Sequence, residues 1–525
     1  MAMEEDPETS ATEPPDGGVP EASAKWVLAA TILGSSMGFI DGTAVNVALP
    51  ALQADFGATV SDVQWVVEAY ALLLASLILV GGALGDHFGR RRAFSAGVVL
   101  FAVASAVCGL APTVLALIAA RAVQGVGAAL MVPGSLAILS AAFPGERRGR
   151  AIGTWSALGA ITTAGGPLLG GWLVDPASWR WVFFLNLPLA VAVLLIARRH
   201  VPESRDAEAA AGLDFAGSLL ATLGLGAVTY ALLSAPGAGF AEPRVWATFT
   251  LGVLALAGFV VVVARGRSPM MPLALFRSRK FAGANLLTLW LYAALGGTLF
   301  FLPFALIQVH GYRATEAGAV FLPFVVLMST LSRWAGGLVA RHGARLPLVL
   351  GPTLAAVGFA LFARPGLGGS YWTTFFPAIV VLGLGMSLTV APLTTAVMSA
   401  VPVHQSGIAS GVNNAVSRVA GLLAIAVFGL VVAAAFDRGA ERRLAPLPLP
   451  PEARHALAAE RSKLAGAAIP PALDAGLREK VKTAIDEAFV DGFRAISWIC
   501  CGLALLSAGV AAVTIEGRAS GRSAG

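Results

Sequence analysis

The sequence predicts an all-α integral membrane protein with about fourteen transmembrane helices. Three observations predict it. Hydrophobic residues make up 57% of the chain and charged residues only 13%, about half the charged share of a soluble domain. Mean hydropathy is +0.77. The apolar residues are gathered into long runs, and each is near or above the ~20 residues that cross the hydrocarbon of a bilayer.

In order, the runs cover 26–48, 63–84, 94–112, 115–141, 151–173, 181–198, 214–234, 245–264, 281–305, 317–339, 346–363, 372–400, 406–436 and 492–515. Residues 1–24 are acidic and proline-bearing and are expected to be a disordered tail. They lack the basic start of a signal peptide. Basic residues cluster at alternate gaps: 90–92, 147–150, 198–205, 265–280 and 341–345. The intervening short gaps hold only Arg180, Arg244, Arg313 and Arg364. Positive charge is retained on the cytoplasmic face, so both termini are expected inside, in a multi-pass protein of the cell membrane. The charged, proline-broken segment 437–491 is expected to be a helical hairpin on the outer side, with short helices at 452–466 and 474–490. Residues 517–525 are expected to be a cytoplasmic tail.

Composition also excludes function classes. The net charge of +6 is punctuation between apolar runs and points to no nucleic-acid partner. The three cysteines, Cys108, Cys500 and Cys501, lie in apolar segments and show no disulfide or metal spacing. The chain lacks the glycine-lysine loop that cradles phosphates, so direct ATP hydrolysis is not expected. No cofactor, metal or obligate protein partner is implied; the expected partners are the bilayer, a small-molecule substrate and protons.

An internal repeat is visible. Gly82, Leu84, Gly89 and Arg91 recur with the same spacing as Gly336, Leu338, Gly343 and Arg345, with Ala340 standing where the first copy has Asp86. Two parallel six-helix halves follow, 25–200 and 266–516, with two inserted helices in 201–265. Repeated halves that rock about a midplane site are a common plan of secondary transport.

Ionisable residues inside membrane runs are costly and mark function. Helix rise places Asp41 roughly 12 Å, and Glu68 and Arg121 roughly 9 Å, below one surface. On that arithmetic all three meet on one level as a proton-coupling group. A neighbouring guanidinium favours a charged carboxyl and burial favours a neutral one, so opposed forces let such a group titrate as a cavity opens. Arg121 serves as partner, since guanidinium does not lose its proton. The competing reading is a structural ion pair. Arg333 and Arg418 are the ionisable residues in the tenth and thirteenth runs.

The segment from Gly82 to Arg92, with Asp86, Gly89, Arg90 and Arg91, resembles the loop between helices 2 and 3 of the major facilitator superfamily. Asp41–Pro50 looks like the helix 1 signature of its drug:proton antiporters. Leu117–Ala129, with Arg121 and Gln124, is similar to their helix 4 signature. Gly166-Pro167-Leu168-Leu169-Gly170-Gly171 matches their helix 5 antiporter motif, although Thr162 stands where a glycine is usual. Trp179–Pro188 looks like the start of helix 6 in the fourteen-helix branch. The likeness covers residues 26–436 and the last helix. It implies the major facilitator fold and proton-driven export of hydrophobic or amphipathic compounds, with residues 85–93 as a cytoplasmic gate latch and the helix 5 glycines as a packing face. Asn46, Tyr70, Gln124, Trp155, Gln308, Asn413 and Asn414 are candidates for the cavity wall. The family's acids in helices 10 and 13, associated with cationic drugs, are absent here apart from Glu316 and Asp437 at the edges. A proton-coupled nutrient importer and a non-transport membrane receptor or enzyme remain the alternatives.

Overall fold

The computed structural model describes residues 19–143, 145–205, 214–239, 242–266, 271–402 and 405–516. Most of the N-terminal tail and all of 517–525 lie outside the described residues. Fourteen long helices follow the fourteen apolar runs. They are α1 Glu21–Phe56, α2 Val60–Phe88, α3 Arg90–Gly109, α4 Val114–Ala142 and α5 Gly145–Val174. Then come α6 Trp181–His200, α7 Phe215–Ala238, α8 Pro243–Arg265 and α9 Arg279–Phe304, which runs into a π turn at Ala305–Val309. The tenth, α10, has two pieces, Ala314–Ala319 and Leu322–His342. The last four are α11 Arg345–Phe362, α12 Phe376–Met398, α13 Ser406–Leu444 and α14 Ala475–Thr514. Among the described residues thirteen of these are long and apolar enough to cross a membrane; α5, 30 residues long, sits at the remaining position.

Local chemistry fixes where they start and stop. Gly57 ends α1 in the left-handed region at φ 60°, where a residue without Cβ fits at no cost. Thr59 and Asp62 then form a reciprocal capping box that opens α2. Ser278, Asp214 and Asp474 cap α9, α7 and α14 through their side chains. Several helices extend past their apolar runs. The polar turns 437–444 belong to α13 and 475–491 to α14, so the segment between the last two helices is only 445–474. It holds one helix, Pro451–Glu460, and a 3₁₀ turn, Arg461–Gly466.

The helices form two six-helix halves, α1–α6 and α9–α14. Of the inserted pair, α7 packs on α2 and α13 at the boundary between the halves, while α8 packs chiefly on α7. Residues Trp246, Leu251, Leu254 and Val260 of α8 are exposed, which suits a helix facing lipid.

The halves meet at the end that carries 445–474. There one continuous apolar core joins Ala44, Ala48 and Leu52 of α1 to Phe301, Leu306 and Ala317 of the other half. At the end that carries the termini, the N-terminal half has a separate core around Val27, Phe94 and Met131. There Gly149, Gly153 and Gly337 face open space. The halves share an apolar core at the hairpin end and have separate cores at the terminal end, which is the more open of the two.

Candidate functional site: a buried ion pair beneath a glycine-sealed closure

At the centre of the N-terminal half, Arg121 of α4 and Asp41 of α1 form an ion pair, and both are 1% exposed. Arg121 Nη1 donates to Asp41 Oδ2 and, at 2.8 Å, to Gln124 Oε1. Gln124 Nε2 donates to Asp41 Oδ1 at 2.9 Å, and Asn186 Nδ2 of α6 reaches the same oxygen at 3.4 Å. Arg121 Nε donates to the Val66 carbonyl of α2 at 3.0 Å. Its guanidinium lies 4.4 Å from the Tyr70 ring centre, within reach of the ring's negative face. Ser105 receives Asn186 Nδ2 at 3.0 Å and donates to the Phe183 carbonyl at 2.8 Å. Side chains of α4 and α6 thus converge on the α1 carboxylate while α2 holds the arginine, and a buried pair is stable only when its remaining hydrogen-bonding capacity is met in this way.

Glu68 does not join this group. It is 0% exposed, and neither carboxyl oxygen has a hydrogen-bond partner. It faces Thr229 of α7. The reason is rotation: Tyr70 turns its ring to Arg121 and its hydroxyl to α1, and two residues along a helix turn the side chain by about 200°. Depth grouped the three residues, whereas direction separates Glu68 from the other two.

The helix 5 motif lies directly above. A Cβ on Gly166 would sit 2.0 Å from Thr43 Oγ1, and one on Gly170 2.6 Å from the Ala44 carbonyl oxygen. Both glycines let α5 press against α1. Gly171 faces the other half: a Cβ there would lie 2.2 Å from the Ala314 carbonyl oxygen, and the Pro167 carbonyl sits against Gly318 at the same distance. Asp175, just past α5, accepts the backbone N–H groups of Ala314 at 3.0 Å and Thr315 at 2.9 Å, and the Thr315 hydroxyl at 2.5 Å. Arg313 adds a charge at 3.7 Å. Burial opposes ionisation of Asp175, and these donors outweigh it and hold the carboxyl below its ordinary range. Gln308 donates to Gln53 at 2.8 Å across the same closure.

At the open end Asp86 accepts from Arg90 Nε at 2.8 Å within its own loop. Arg91 N–H donates to Glu203 Oε1 at 3.0 Å, and Arg91 Nη1 to the Val201 carbonyl at 3.2 Å. Gly89 has φ 114°, and the Glu203 carboxyl crowds it. Gly82 has ordinary contacts, and its neighbour Gly81 is the tight position, where a Cβ would lie 2.0 Å from the Ala129 carbonyl oxygen. Trp155 donates to Ser35 at 3.0 Å. Asn413 donates to Asn285 at 3.1 Å and Thr288 at 2.7 Å, while Asn414 is exposed. Asn46 keeps a buried oxygen without a partner. The side chains of Arg333 and Ala340 lie outside the described ones. Sequence reasoning missed Asn186, Ser105, Asp175 and Glu203; for the last two, an acid just beyond a membrane run was the available signal.

The description of the Major Facilitator Superfamily matches residues 31–425. The chain belongs to that superfamily. It is therefore a transporter and not an enzyme. It is 37% identical to the multidrug resistance protein Stp of Mycobacterium tuberculosis over 82% of this chain and 80% of that one. It is 35% identical to the tetracenomycin C resistance and export protein of Streptomyces glaucescens over 93% and 91%. Among solved structures, the occupied inward-facing form of a bacterial homolog of the human lysosomal transporter Spinster superposes with a TM-score of 0.64 at 16% identity, covering 94% of this chain and 97% of that one. A D-xylose-proton symporter gives 0.58 at 15%, covering 94% and 97%. These two likenesses concern the fold.

Proposed function

We propose that this transporter exports hydrophobic or amphipathic small molecules from the cell in exchange for protons. It sits in the cell membrane with both termini in the cytoplasm, so the structure's open end faces inward. The single observation that carries the reading is the Asp41–Arg121 pair, buried in the half whose α5 glycines seal the outer side. The relatives named for resistance and export support the direction of transport.

In this cycle the ionised Asp41 belongs to the inward-open state, where Arg121 and Gln124 hold its charge. When the outer side opens, a proton entering from outside neutralises Asp41, removes its attraction for Arg121, and favours return. Substrate enters from the cytoplasmic side while Asp41 is ionised, and the halves rock around it. The residues 85–93 brace the cytoplasmic ends of α2 and α3 through Glu203. Proteoliposomes holding the purified protein test this with a panel of anionic, neutral and cationic amphipathic dyes. An imposed pH gradient should drive dye movement that D41N abolishes although the variant remains in the membrane. Gradient-driven movement at the wild-type rate in D41N would remove Asp41 from the mechanism. Dye movement in the same direction as the protons would favour import.

A further inference from the structure

Few charges reach the centre of the molecule among the described residues. Asp41 and Arg121 cancel each other, and Glu68 is turned toward α7. Arg418 of α13 remains. Among the described residues it has no hydrogen-bond or ion-pair partner, and its Nε is shut off from solvent without an acceptor. The titratable group it faces is Tyr70 of α2, across the boundary between the halves. The face it occupies follows from helical spacing. Gly411, Arg418 and Ile425 are two turns apart and so share one side of α13. Both flanking residues touch α2: a Cβ on Gly411 would meet Leu79 at 3.0 Å, and Gln64 donates to the Ile425 carbonyl at 2.9 Å.

Exposure changes along the same stretch. Asn414 is exposed, Arg418 is half-buried, and Leu422 and Ile425 are buried. Arg418 therefore stands where solvent exposure falls off along α13, in the seam with α2. A guanidinium withdrawn from water without an acid is costly, and here no described residue supplies a counter-charge. Asn413 beside it is already committed to Asn285 and Thr288.

We infer that Arg418 is the anion-recognising group of the substrate site, and that the preferred cargo is an amphiphile bearing a carboxylate or other oxygen anion beside an aromatic or apolar body. The anion neutralises the lone positive charge and accepts its free donors, while the apolar body lies along the α2 side near Tyr70. A cation meets uncompensated repulsion. The inference deepens the exporter reading and rests on it for the word cargo.

Two dyes with the same xanthene ring system and opposite charge test it, carboxyfluorescein and rhodamine 123. Binding to the purified protein in nanodiscs is read by fluorescence anisotropy. The wild type should prefer the anion. R418Q should weaken carboxyfluorescein about tenfold or more, the loss expected for a charge-assisted contact. It should leave rhodamine 123 unchanged or tighter, which also reports that the variant is folded. R418K should retain part of the anion affinity. Equal weakening of both dyes, or unchanged anion binding in R418Q, overturns the inference, as does a wild type that binds the anion no better than the cation. The same proteoliposomes separate the two readings. Arg418-dependent anion binding with no gradient-driven movement of either dye would leave the anion site standing and remove the proton-coupled exporter.

Discussion

At the residue scale, the Asp41–Arg121 pair has two separable roles, fold and coupling. Removing one partner of a buried pair typically costs about 3–5 kcal/mol. R121A should therefore lower thermal stability strongly, measured in detergent against the wild type. The double variant D41N/R121Q removes both charges and should recover most of that stability without recovering gradient-driven transport. Recovery of transport would make the pair a packing device. Asp175 makes a pH-dependent prediction. Its carboxyl is held below the ordinary value in the closed outer side, against burial, by Thr315, Ala314 and Arg313. A lowered value in the closed state means the latch is fully formed above the ordinary carboxylate range. It is lost as pH falls through the lowered value. D175A should shift the equilibrium toward outer opening at neutral pH by about 1–3 kcal/mol, the usual worth of hydrogen bonds to a charged group. Distance measurements between spin labels at the outer ends of α5 and α10 read that shift; an unchanged distribution would show that Asp175 does not latch. Depth along a helix was legible in the sequence for Asp41 and Arg121, because a lone charge in an apolar run stands out. The direction of Glu68 was not, since it depends on a rotation that tertiary packing sets. Asn186 and Ser105 were not legible either, since neutral polar residues are common in membrane helices.

At the element scale, α5 packs tightly on both sides of the closure. Its motif glycines face two partners, Gly166 and Gly170 toward α1 and Gly171 toward Ala314. G171L should wedge the outer side open and abolish transport with protein still inserted, since the added atoms meet backbone rather than a flexible side chain. Gly165 has open space around its Cβ position, so G165A should transport normally. Wild-type dye efflux in G171L would show that this contact is dispensable. The existence of the helices was legible because each apolar run is long enough to cross a bilayer. Their ends were less so. Polar turns extend α13 to Leu444 and start α14 at Ala475, where periodicity in apolar residues fades and capping residues decide.

At the scale of the whole molecule, the closed end is continuous with the segment 445–474. Charged and proline-broken as that segment is, Leu449, Ala453, Leu457, Leu464 and Leu473 are buried in the core shared by both halves. Gln53 also donates to the Lys463 carbonyl at 3.3 Å. Four of its five leucines are buried and Leu447 is half-buried, a pattern that composition conceals. Replacing 446–472 with a flexible linker should lower thermal stability, since each large buried apolar side chain contributes about 1.5–3 kcal/mol. It should slow transport while leaving proton coupling intact; complete loss of coupling in a well-expressed variant would make the segment part of the mechanism. Coupling itself is tested most directly by proton release. Substrate binding to the inward-open state should require an ionised Asp41. Adding a bound dye to the wild-type protein in weakly buffered solution, near the pH where binding is half-maximal, should therefore acidify a pH indicator. D41N, fixed in the neutral form, should bind the dye weakly and release no protons; dye binding with proton release equal to the wild type would contradict the account.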